Sequence, residues 1–409
     1  MSGDILFLAH RVPFPPDRGD KMRSYHLLKR LSELGRVHLA TFADDEADKA
    51  YAAALRPLLG RLHIEKRTRR TFVAGISALL KGTPVSVEAF ASQSMHRAIK
   101  DMLQAEPIDT VFAFSGQMAQ FVPADGRRFV MDFVDVDSAK FADYAGSSSG
   151  LMRWLHRREA RLLGGFEREV AARADLSLFV SDAEAQMFRD RIAPPGAVVA
   201  VLENGIDLDA YAPGAGFVPL DSQTRGAGPL IVFTGQMDYR PNVAAALHFA
   251  ERVMPQVRDA HPDARFAVVG RKPDATLRRI DGVGGVHVTG TVADVRSWLA
   301  AADVVVAPLA IARGIQNKVL EGMAMARPVV ASPAAFEGID ALPGRDLIVA
   351  DVDAMAAELL AVIADPAAAR RLGAAARALV ERRYAWDARL APLAAMIGRA
   401  APPALGAAA

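Results

Sequence analysis

The chain has 409 residues, enough for two domains that each bury a core of their own. Hydrophobic residues make up 51% and charged residues 23%, which is typical of a globular protein and excludes an intrinsically disordered one. The 49 basic and 47 acidic side chains give a net charge of +2, which offers no argument for nucleic-acid binding, and the absence of cysteine excludes disulfides and thiolate chemistry.

The start of the chain and its hydropathy predict where the protein resides. The sequence runs from Met1 directly into an apolar strand candidate, without the basic segment, long apolar core and cleavage site of a signal peptide. No uncharged stretch reaches about 18 apolar residues, so no segment is predicted to span a bilayer. We expect a cytoplasmic protein whose membrane contact is limited to the periphery of the inner face.

Short apolar runs alternate with longer stretches of helical periodicity, the pattern of parallel sheets covered by helices on both faces. Six runs predict strands in the first half, at residues 5–9, 37–42, 110–114, 129–134, 176–180 and 198–202. Six more follow, at residues 230–234, 266–269, 286–289, 304–307, 329–331 and 347–349. The sequence therefore predicts an α/β protein with two Rossmann-like parallel-sheet domains in tandem.

A stretch rich in proline and glycine separates the two series of strands. Residues 209–229 show no sustained periodicity, which is typical of an interdomain linker. We therefore predict an N-terminal domain at residues 1–208 and a C-terminal domain at residues 230–383, with residues 384–409 as a final helix and tail.

The segment after the first strand combines glycine with charged residues. It links the strand to the first helix, and Gly19 is expected to let the backbone approach a ligand closely. The alternative is an ordinary loop in which Asp20 caps the helix. The third glycine of a dinucleotide fingerprint is missing, which disfavours a nicotinamide cofactor.

Two stretches of the first half combine apolar and basic side chains. Residues 61–81 contain six basic residues and one acid, which predicts either a surface for anionic lipid or a solvated helix face. In the helix predicted over residues 151–173, four apolar residues form one stripe, which predicts a core face: Leu151, Leu155, Leu162 and Phe166.

Three carboxylates, Asp132, Asp135 and Asp137, lie at the end of the strand predicted at residues 129–134. Strand alternation would place Asp135 and Asp137 on one face, where either acid is expected to orient an acceptor hydroxyl or to take its proton. Loop capping is the alternative. No further ligand follows at metal-binding spacing, so a metal site is disfavoured here.

A strand, loop, helix and strand succeed one another over residues 303–331. The loop is predicted at the carboxyl end of a parallel strand, where Gly314 allows close approach and the helix N-terminus suits a diphosphate. Lys318 is unfavourable in a first helical turn unless an anion lies nearby. Glu321 lies on the same helix face and can accept two sugar hydroxyls, although a surface ion pair with Lys318 explains the spacing equally well.

The stretch Asn317-Lys-Val-Leu-Glu-Gly-Met-Ala-Met-Ala-Arg-Pro-Val-Val-Ala-Ser332 resembles the donor-site signature of the family 4 retaining glycosyltransferases, which have the GT-B fold. Four more segments resemble that family in the right order: Glu203-Asn-Gly-Ile-Asp207, Val268-Val-Gly-Arg271, Gly290-Thr-Val-Ala-Asp-Val295 and Tyr384-Ala-Trp386. The resemblance covers essentially the whole chain.

The resemblance implies two domains that face a cleft, with a nucleotide-diphosphate sugar bound by the second, a saccharide or lipid-linked acceptor bound by the first, and residues 384–409 packing toward the first. It implies retention of configuration, no metal and no other cofactor. The expected donor-binding residues are Gly235, Arg240, Arg271, Thr291, Val292, Arg313, Gly314, Ile315, Gln316, Asn317, Lys318 and Glu321. The expected acceptor-binding residues are Gly19, Asp20, Lys21 and Arg23, and the expected catalytic residues are Lys318, Glu321, Asp135 and Asp137.

Two departures from the family pattern bear on specificity. Arg313 stands where the family usually has a glutamate that contacts the transferred sugar, whereas Glu321 keeps the position that contacts the ribose. Gln236 and Pro241 stand where many members have an arginine and a lysine for the phosphates. Both departures resemble the branch associated with exopolysaccharide and PEP-CTERM gene systems. A GT-B nucleotide-sugar epimerase and a catalytically silent nucleotide-sugar-binding partner are the alternatives.

Overall fold

The structure is a computed structural model that describes residues 3–16, 19–67, 71–312 and 315–399, with the backbone alone at residues 49, 52, 71–74 and 147. The chain divides into two compact units. Unit 1 comprises Met1–Asn204 with Arg389–Ala409, and unit 2 comprises Gly205–Ala388.

Unit 1 is built on a seven-stranded parallel sheet with the strand order β3-β2-β1-β4-β5-β6-β7. Its strands are β1 (Asp4–Ala9), β2 (Val37–Ala43), β3 (Leu59–Lys66), β4 (Ile108–Phe114), β5 (Arg128–Val134), β6 (Leu176–Phe179) and β7 (Val199–Val201). Its helices are α1 (Gly19–Leu34), α2 (Glu46–Ala52), α3 (Thr71–Lys81), α4 (Val85–Glu88), α5 (Gln93–Ala105), α6 (Asp137–Ser147), α7 (Gly150–Arg173) and α8 (Asp182–Arg191), with 3-10 turns at Ala53–Leu58 and Gly116–Phe121.

Unit 2 is built on a six-stranded parallel sheet with the strand order β10-β9-β8-β11-β12-β13. Its strands are β8 (Leu230–Thr234), β9 (Arg265–Val269), β10 (Val286–Gly290), β11 (Val304–Ala307), β12 (Val329–Ala331) and β13 (Ile348–Val349). Its helices are α9 (Ser222–Arg225), α10 (Arg240–Arg252), α11 (Met254–Ala260), α12 (Ala275–Ile280), α13 (Val295–Ala301), α14 (Asn317–Ala324), α15 (Pro333–Phe336), α16 (Met355–Ala364) and α17 (Pro366–Arg383), with a 3-10 turn at Val352–Ala354. Helix α18 (Trp386–Leu390) spans the boundary between the units, and α19 (Leu393–Met396) follows in unit 1.

The predicted α/β architecture of two parallel sheets is confirmed, and the central strands are mostly apolar because helices cover both of their faces. In β1 every residue from Ile5 to Ala9 is buried, and in β8 every residue is buried. Each unit has its own apolar core.

Strand β3 was not predicted, because its sequence falls in the basic segment 61–81. It lies at the edge of the sheet beside β2, and its residues are only partly buried, so apolar and charged side chains alternate along it. Residues 68–70 of the basic segment lie outside the described residues.

The proline- and glycine-rich stretch 209–229 lies within unit 2. Phe217 and Leu220 pack on the core of that unit, and Ser297 Oγ donates to the carbonyl oxygen of Val218 at 2.6 Å. The stretch lacks periodicity because it packs on unit 2 in a series of turns with one short helix, α9.

The stripe predicted as the core face of α7 is displaced in the structure. Leu151 is 71% exposed, and the buried positions of the helix are Glu159, Leu163, Glu167, Val170 and Ala171. Glu159 and Glu167 are buried because they accept hydrogen bonds, from Ser86 and Ser138 respectively. Two buried acids therefore concealed the true core face, and the first two turns of α7 carry exposed apolar side chains.

In the part of the chain that the structure describes, no helix is both long enough and apolar enough to cross a bilayer.

Candidate functional site

Each sheet has one position at which the strand order reverses, with earlier strands of the chain added on one side of it and later strands added on the other. In unit 2 this switch point lies between β8 and β11, and in unit 1 it lies between β1 and β4. Loops at the carboxyl ends of such strands diverge and leave a crevice where open α/β sheets bind ligands. The residues predicted as functional follow strands β1 and β5 in unit 1 and strands β8, β9, β10 and β11 in unit 2.

Lys318 lies in the first turn of α14, and its ammonium group is largely withdrawn from water. Nζ donates to Asn242 Oδ1 at 2.6 Å and lies 4.8 Å from the centre of the Phe233 ring. Burial lowers the pKa of Lys318 to about 8, against the opposing charge of Glu321. Water competes poorly for a desolvated ammonium group, so Lys318 is placed to bind an anion such as a phosphate.

Gly235 and Gly270 allow two loops to touch at the end of β8. A Cβ on Gly270 would lie 1.6 Å from the carbonyl oxygen of Gly235, so no side chain fits there. A Cβ on Gly235 would lie 2.7 Å from Asn242 Nδ2 and 3.4 Å from Lys318 Nζ. The backbone at Gly235 therefore runs directly beside the Lys318 ammonium group. Asn242 also donates to the carbonyl oxygen of Gln236 at 3.0 Å, which fixes the amide that holds the lysine.

Glu321 shares α14 with Lys318 and receives a hydrogen bond from the hydroxyl of Tyr211. Burial raises the pKa of Glu321, against the effects of that hydrogen bond and of the Lys318 charge. Burial and the neighbouring carboxylate raise the pKa of Tyr211 as well, so its hydroxyl stays protonated and donates. A carboxylate accepts several hydrogen bonds, which leaves Glu321 able to accept from a ligand hydroxyl.

The remaining predicted donor residues lie in four segments of unit 2. Arg240 is exposed at the start of α10, and Thr291 and Val292 follow β10. Arg271 is exposed and its Nη2 donates to Gln236 Oε1 at 3.2 Å. The loop before α14 supplies Ile315, Gln316 and Asn317, with Gln316 at the N-cap of the helix. Arg313 and Gly314 lie outside the described residues.

In unit 1 a pocket opens at the carboxyl ends of β1, β4 and β5. Its charged and polar lining combines predicted residues with others: His10, Asp20, Arg23, Ser115, Asp135, Asp137, Lys140 and Asn204. Gly19 also lines the pocket. The structure thus brings together the two segments that sequence reasoning proposed separately, the loop after β1 and the acids after β5.

Asp20 is held as an anion beside His10. Arg11 Nη1 donates to it at 2.5 Å, and His10 Nε2 lies 3.3 Å from Asp20 Oδ2. Burial alone would raise the pKa of Asp20, but the hydrogen bonds and charges of His10 and Arg11 hold it well below its usual range. The His10 ring also stacks on Phe114, with ring centres 5.6 Å apart. Histidine at this position was not singled out from the sequence, because only the fold places the end of β1 beside Asp20 and β4.

Arg23 and Lys21 differ in their surroundings although both lie on α1. Arg23 is 1% exposed, and it donates to Asp132 Oδ2 at 2.8 Å and to Asn204 Oδ1 at 2.9 Å. Lys21, predicted to bind the acceptor, does not line the pocket, because its Nζ donates to the buried carboxylate of Asp48 at 2.7 Å. Lys21 therefore anchors α1 to α2 instead.

Asp135 and Asp137 both lie close to Lys140. Its Nζ donates to Asp137 Oδ1 at 2.8 Å and lies 3.8 Å from Asp135 Oδ2. Strand alternation is not the reason that the two acids meet, since β5 ends at Val134 in a left-handed conformation with φ of 74° and α6 begins at Asp137. Their carboxylates share one ammonium group and retain acceptor capacity toward a ligand hydroxyl.

Among the described residues, one group of possible metal ligands is close enough to share an ion: Asp4, His38 and Glu106. His38 Nδ1 accepts from the backbone N–H of Arg61 at 3.0 Å, so Nε2 carries the proton and donates to Asp4 Oδ2 at 2.8 Å. Both ring nitrogens of His38 therefore have hydrogen-bond partners within the protein, and these bonds join β2 to β1 and to β3.

The two sheets and their switch-point sites define the class of protein: the chain has the GT-B fold of glycosyltransferases. Sucrose-phosphate synthase from Thermosynechococcus elongatus has a TM-score of 0.59 at 17% identity, over 96% of this chain and 98% of that one. Anabaena Alr3699/HepE, solved in complex with UDP-glucose, has a TM-score of 0.59 at 15% identity, over 97% and 99% of the two chains. The predicted fold class is therefore confirmed.

Sequence comparisons then narrow the class for the second half of the chain. Residues 228–365, which include Gly235, Asn242, Lys318 and Glu321, match the family described as glycosyl transferases group 1. The GDP-mannose-dependent monoacylated alpha-(1-6)-phosphatidylinositol monomannoside mannosyltransferase of Corynebacterium glutamicum is 27% identical over 242 residues, which are 54% of this chain and 61% of that protein. Glycogen synthase of Mycobacterium tuberculosis is 26% identical over 272 residues, 62% and 61% of the two proteins. The chain thus spans less than two thirds of the length of these relatives.

Proposed function

We propose that the protein is a glycosyltransferase that moves a sugar from a nucleotide-diphosphate sugar to a saccharide or lipid-linked saccharide acceptor. The observation that carries the proposal is the desolvated ammonium group of Lys318, held by Asn242 beside the Gly235 backbone at the switch point of unit 2. These residues lie in the segment that matches the group 1 glycosyl transferases. Solved proteins of this fold include one in complex with UDP-glucose.

The proposed donor site divides into a phosphate part and a ribose part. Lys318 and the first amides of α14 bind the diphosphate, since a helix N-terminus and a nearby cation both stabilise an anion. Glu321, with one acceptor position used by Tyr211, binds the ribose hydroxyls. Arg240 and Arg271 are exposed on neighbouring loops and are proposed to contact the donor from there.

The proposed reaction breaks the bond between the anomeric carbon and the diphosphate and forms a bond from that carbon to an acceptor oxygen. Lys318 stabilises the negative charge that develops on the departing diphosphate, which lowers the barrier most directly. The acceptor lies in the pocket of unit 1, where Asp135 and Asp137 orient its hydroxyl. The acceptor proton passes to a diphosphate oxygen on the same face of the sugar, which gives retention without a protein nucleophile. Because Lys318 supplies the cation, we expect turnover to persist in EDTA.

The biological setting is proposed from the departures in the donor signature. Arg313, Gln236 and Pro241 follow the branch associated with exopolysaccharide and PEP-CTERM systems. We therefore propose a role in exopolysaccharide biosynthesis on the cytoplasmic side of the membrane. The relatives named above act on other acceptors, phosphatidylinositol mannosides or glycogen, so acceptor choice is the property to be measured.

A thermal-shift screen against UDP-, GDP- and ADP-sugars tests donor binding, because a ligand that binds only the folded protein raises its melting temperature. Wild-type protein is expected to respond to one nucleotide series, and Lys318→Ala and Glu321→Ala variants are expected to lose the response. Lys29→Ala, which removes an exposed lysine of unit 1, is the matched control. A response that both site variants retain would contradict the proposed donor site.

The ribose assignment is tested by pairing protein variants with ligand variants. Glu321→Ala is expected to lower the affinity for the ribonucleoside diphosphate about tenfold or more and to leave the affinity for its 2′,3′-dideoxy analogue unchanged, because the lost hydrogen bonds go to the ribose hydroxyls. Equal losses for both ligands would show that Glu321 acts through the fold.

Product analysis separates transfer from the alternatives. With donor and polyprenyl-linked saccharide acceptor, a new glycoside with the anomeric configuration of the donor is expected by proton NMR. Conversion of the donor to an isomer in the absence of acceptor would indicate an epimerase. Donor binding with no turnover toward any saccharide or lipid-linked acceptor would indicate a silent binding protein.

A further inference from the structure

Two helices of unit 1 expose large apolar side chains. In the described part of α3, Leu80 is 85% exposed and both Ile76 and Leu79 are 47% exposed. At the start of α7, Leu151 is 71%, Trp154 is 54% and Met152 is 52% exposed. These six residues are named here the α3–α7 surface. Soluble proteins rarely expose so many large apolar side chains unless a membrane or a partner protein covers them.

Arg158 fastens α7 to the end of α3, so the exposed apolar side chains of the two helices lie on neighbouring elements of unit 1. Arg158 of α7 donates through Nη2 to the carbonyl oxygen of Ala78 at 2.7 Å and through Nη1 to that of Thr83 at 3.3 Å. Trp154 and Leu151 lie four and seven residues before Arg158, on the same side of α7. They therefore lie along the side of α7 from which Arg158 reaches the last turn of α3.

The charged side chains that the first half of α7 exposes are positive. Arg153, Arg157 and Arg161 are exposed and follow one another at intervals of four residues along α7. The only acid between residues 150 and 162 is Glu159, which is buried where it accepts from the backbone N–H of Val85 at 2.8 Å. A helix face with apolar residues, a tryptophan and arginines, and without exposed acids, complements an anionic bilayer surface.

We propose that the α3–α7 surface docks on an anionic lipid bilayer. Leu80, Leu151 and Trp154 enter the boundary between headgroups and acyl chains, and the arginines of α7 contact lipid phosphates while their stems cover apolar surface. This goes beyond the basic segment 61–81 considered from the sequence, because the residues with the greatest exposure lie at the end of α3 and on α7, and residues 61–66 belong to strand β3. The docking does not depend on the proposed glycosyl transfer.

Tryptophan fluorescence reports docking directly, because Trp154 is 54% exposed whereas Trp298 and Trp386, the other two tryptophans, are 5% and 4% exposed. The full-length protein is titrated with vesicles of equal parts phosphatidylcholine and phosphatidylglycerol. Emission is expected to shift to shorter wavelength, to be quenched by lipids brominated on the acyl chains, and to do neither with pure phosphatidylcholine. The Trp154→Phe variant is expected to show no shift while still floating with the vesicles.

Variants separate the apolar and the charged contributions. Leu80→Glu with Leu151→Glu is expected to abolish flotation, and Val283→Glu, at a 62% exposed valine of unit 2, is expected to leave it intact. Arg153→Gln with Arg157→Gln is expected to weaken vesicle partitioning about thirtyfold, since each basic side chain near an anionic surface contributes to binding. Arg370→Gln with Arg371→Gln removes the same charge from exposed positions of α17 and is expected to have no effect.

Three results would overturn the proposal. One is the absence of acyl-chain quenching on anionic vesicles at low ionic strength. Another is flotation that the Leu80→Glu, Leu151→Glu variant retains although its far-UV circular dichroism matches the wild type. The third is a blue shift of Trp154 that appears with rising protein concentration and without lipid, which would assign the surface to a second copy of the chain.

Discussion

Lys318 shows how a residue that is locally unfavourable can be explained by its site. A cation in the first turn of α14 meets the positive end of the helix dipole, and burial lowers the pKa of Lys318 to about 8. The negative charge of a bound diphosphate offsets the repulsion from the helix dipole and raises the pKa of Lys318 again. We therefore expect nucleoside diphosphate affinity to change little around pH 7 and to fall about tenfold for each pH unit as the pH rises above about 8, where free Lys318 loses its proton.

Isothermal titration calorimetry from about pH 7 to about pH 10 measures this dependence. Lys318→Arg is the matched control, because a guanidinium group stays charged over the whole range and should remove the dependence. An affinity of the wild type that does not change up to about pH 10 would mean that the Lys318 charge does not contribute to binding.

Arg23 is a second residue whose burial predicts a large effect. Its guanidinium joins α1 to Asp132 on β5 and to Asn204 at the end of the first segment of unit 1. Arg23→Ala leaves Asp132 as a fully buried acid without its counter-charge, so the unfolding free energy of unit 1 should fall by about 3–5 kcal/mol. Arg30→Ala removes the partly exposed pair Arg30–Glu33 from the same helix and should cost at most about 1 kcal/mol. Urea unfolding monitored by circular dichroism compares the two, and equal losses would contradict the buried-pair assignment.

At the scale of the element, the position of α14 depends on Gly322. A Cβ on Gly322 would lie 3.0 Å from Val305 Cγ1 and 3.1 Å from Val329 Cγ2, because the helix packs closely on β11 and β12. Gly322→Ala should therefore destabilise unit 2 by about 1–3 kcal/mol and weaken nucleotide binding, since it displaces the helix that carries Lys318. Gly165→Ala in α7 places the same methyl group in open space and should stabilise by about 0.5–1 kcal/mol.

Thermal unfolding with and without nucleotide measures both variants. The opposite signs expected for the two substitutions separate packing against the sheet from helix propensity. A Gly322→Ala variant as stable as the wild type would show that α14 can move away from the sheet at little cost.

The elements differ in how far the sequence predicts them, and burial explains the difference. Strands β1 and β8 contain continuous buried apolar runs, Ile5–Ala9 and Leu230–Phe233, because both faces are covered, so composition reveals them. Edge strand β3 has no such run, because its partly buried residues alternate with charged ones. The core face of helix α7 was predicted wrongly, because the buried Glu159 and Glu167 belong to that face and Leu151 does not. Hydropathy does not reveal an acid that is buried with hydrogen-bond partners.

The same reasoning applies to the candidate sites. The pairing of Lys318 with Glu321 follows from helical spacing, so the sequence predicts it. Asn242 and Tyr211, which hold these two side chains, lie 76 and 110 residues away in the chain, and only the fold brings them together. His10 is a lone histidine in the sequence and gains its significance from Asp20 and the pocket. Contacts between residues that are far apart in the chain therefore could not be predicted from the sequence.

At the scale of the whole molecule, the chain passes between the units twice, after Asn204 and after Ala388. The first passage requires a glycine at position 205, since a Cβ there would lie 2.5 Å from the Cα of Trp386. Ile206 N–H also donates to the carbonyl oxygen of Tyr384 at 2.7 Å. The two ends of the single segment that forms unit 2 are therefore in contact with each other.

The second passage returns the chain to unit 1, where residues 389–399 complete the fold of that unit. Leu393 is fully buried, Arg399 Nη2 donates to Asp109 at 2.6 Å, and Arg128 Nη2 donates to the carbonyl oxygen of Met396 at 2.8 Å. The end of the chain therefore contributes to the stability of the N-terminal sheet although about 180 residues of unit 2 intervene.

This topology predicts a substitution near the C-terminus that acts on the N-terminal unit. Leu393→Ala should lower the unfolding free energy of unit 1 by about 2–5 kcal/mol through the cavity that it leaves, and Leu151→Ala, at an exposed leucine of the same unit, should change it little. Calorimetry should resolve two transitions, of which a nucleoside diphosphate raises the one that belongs to unit 2. Leu393→Ala should lower the other transition and leave the ligand-sensitive one in place. If the substitution lowers the ligand-sensitive transition instead, residues 389–399 stabilise unit 2 and the assignment of the tail to unit 1 is wrong.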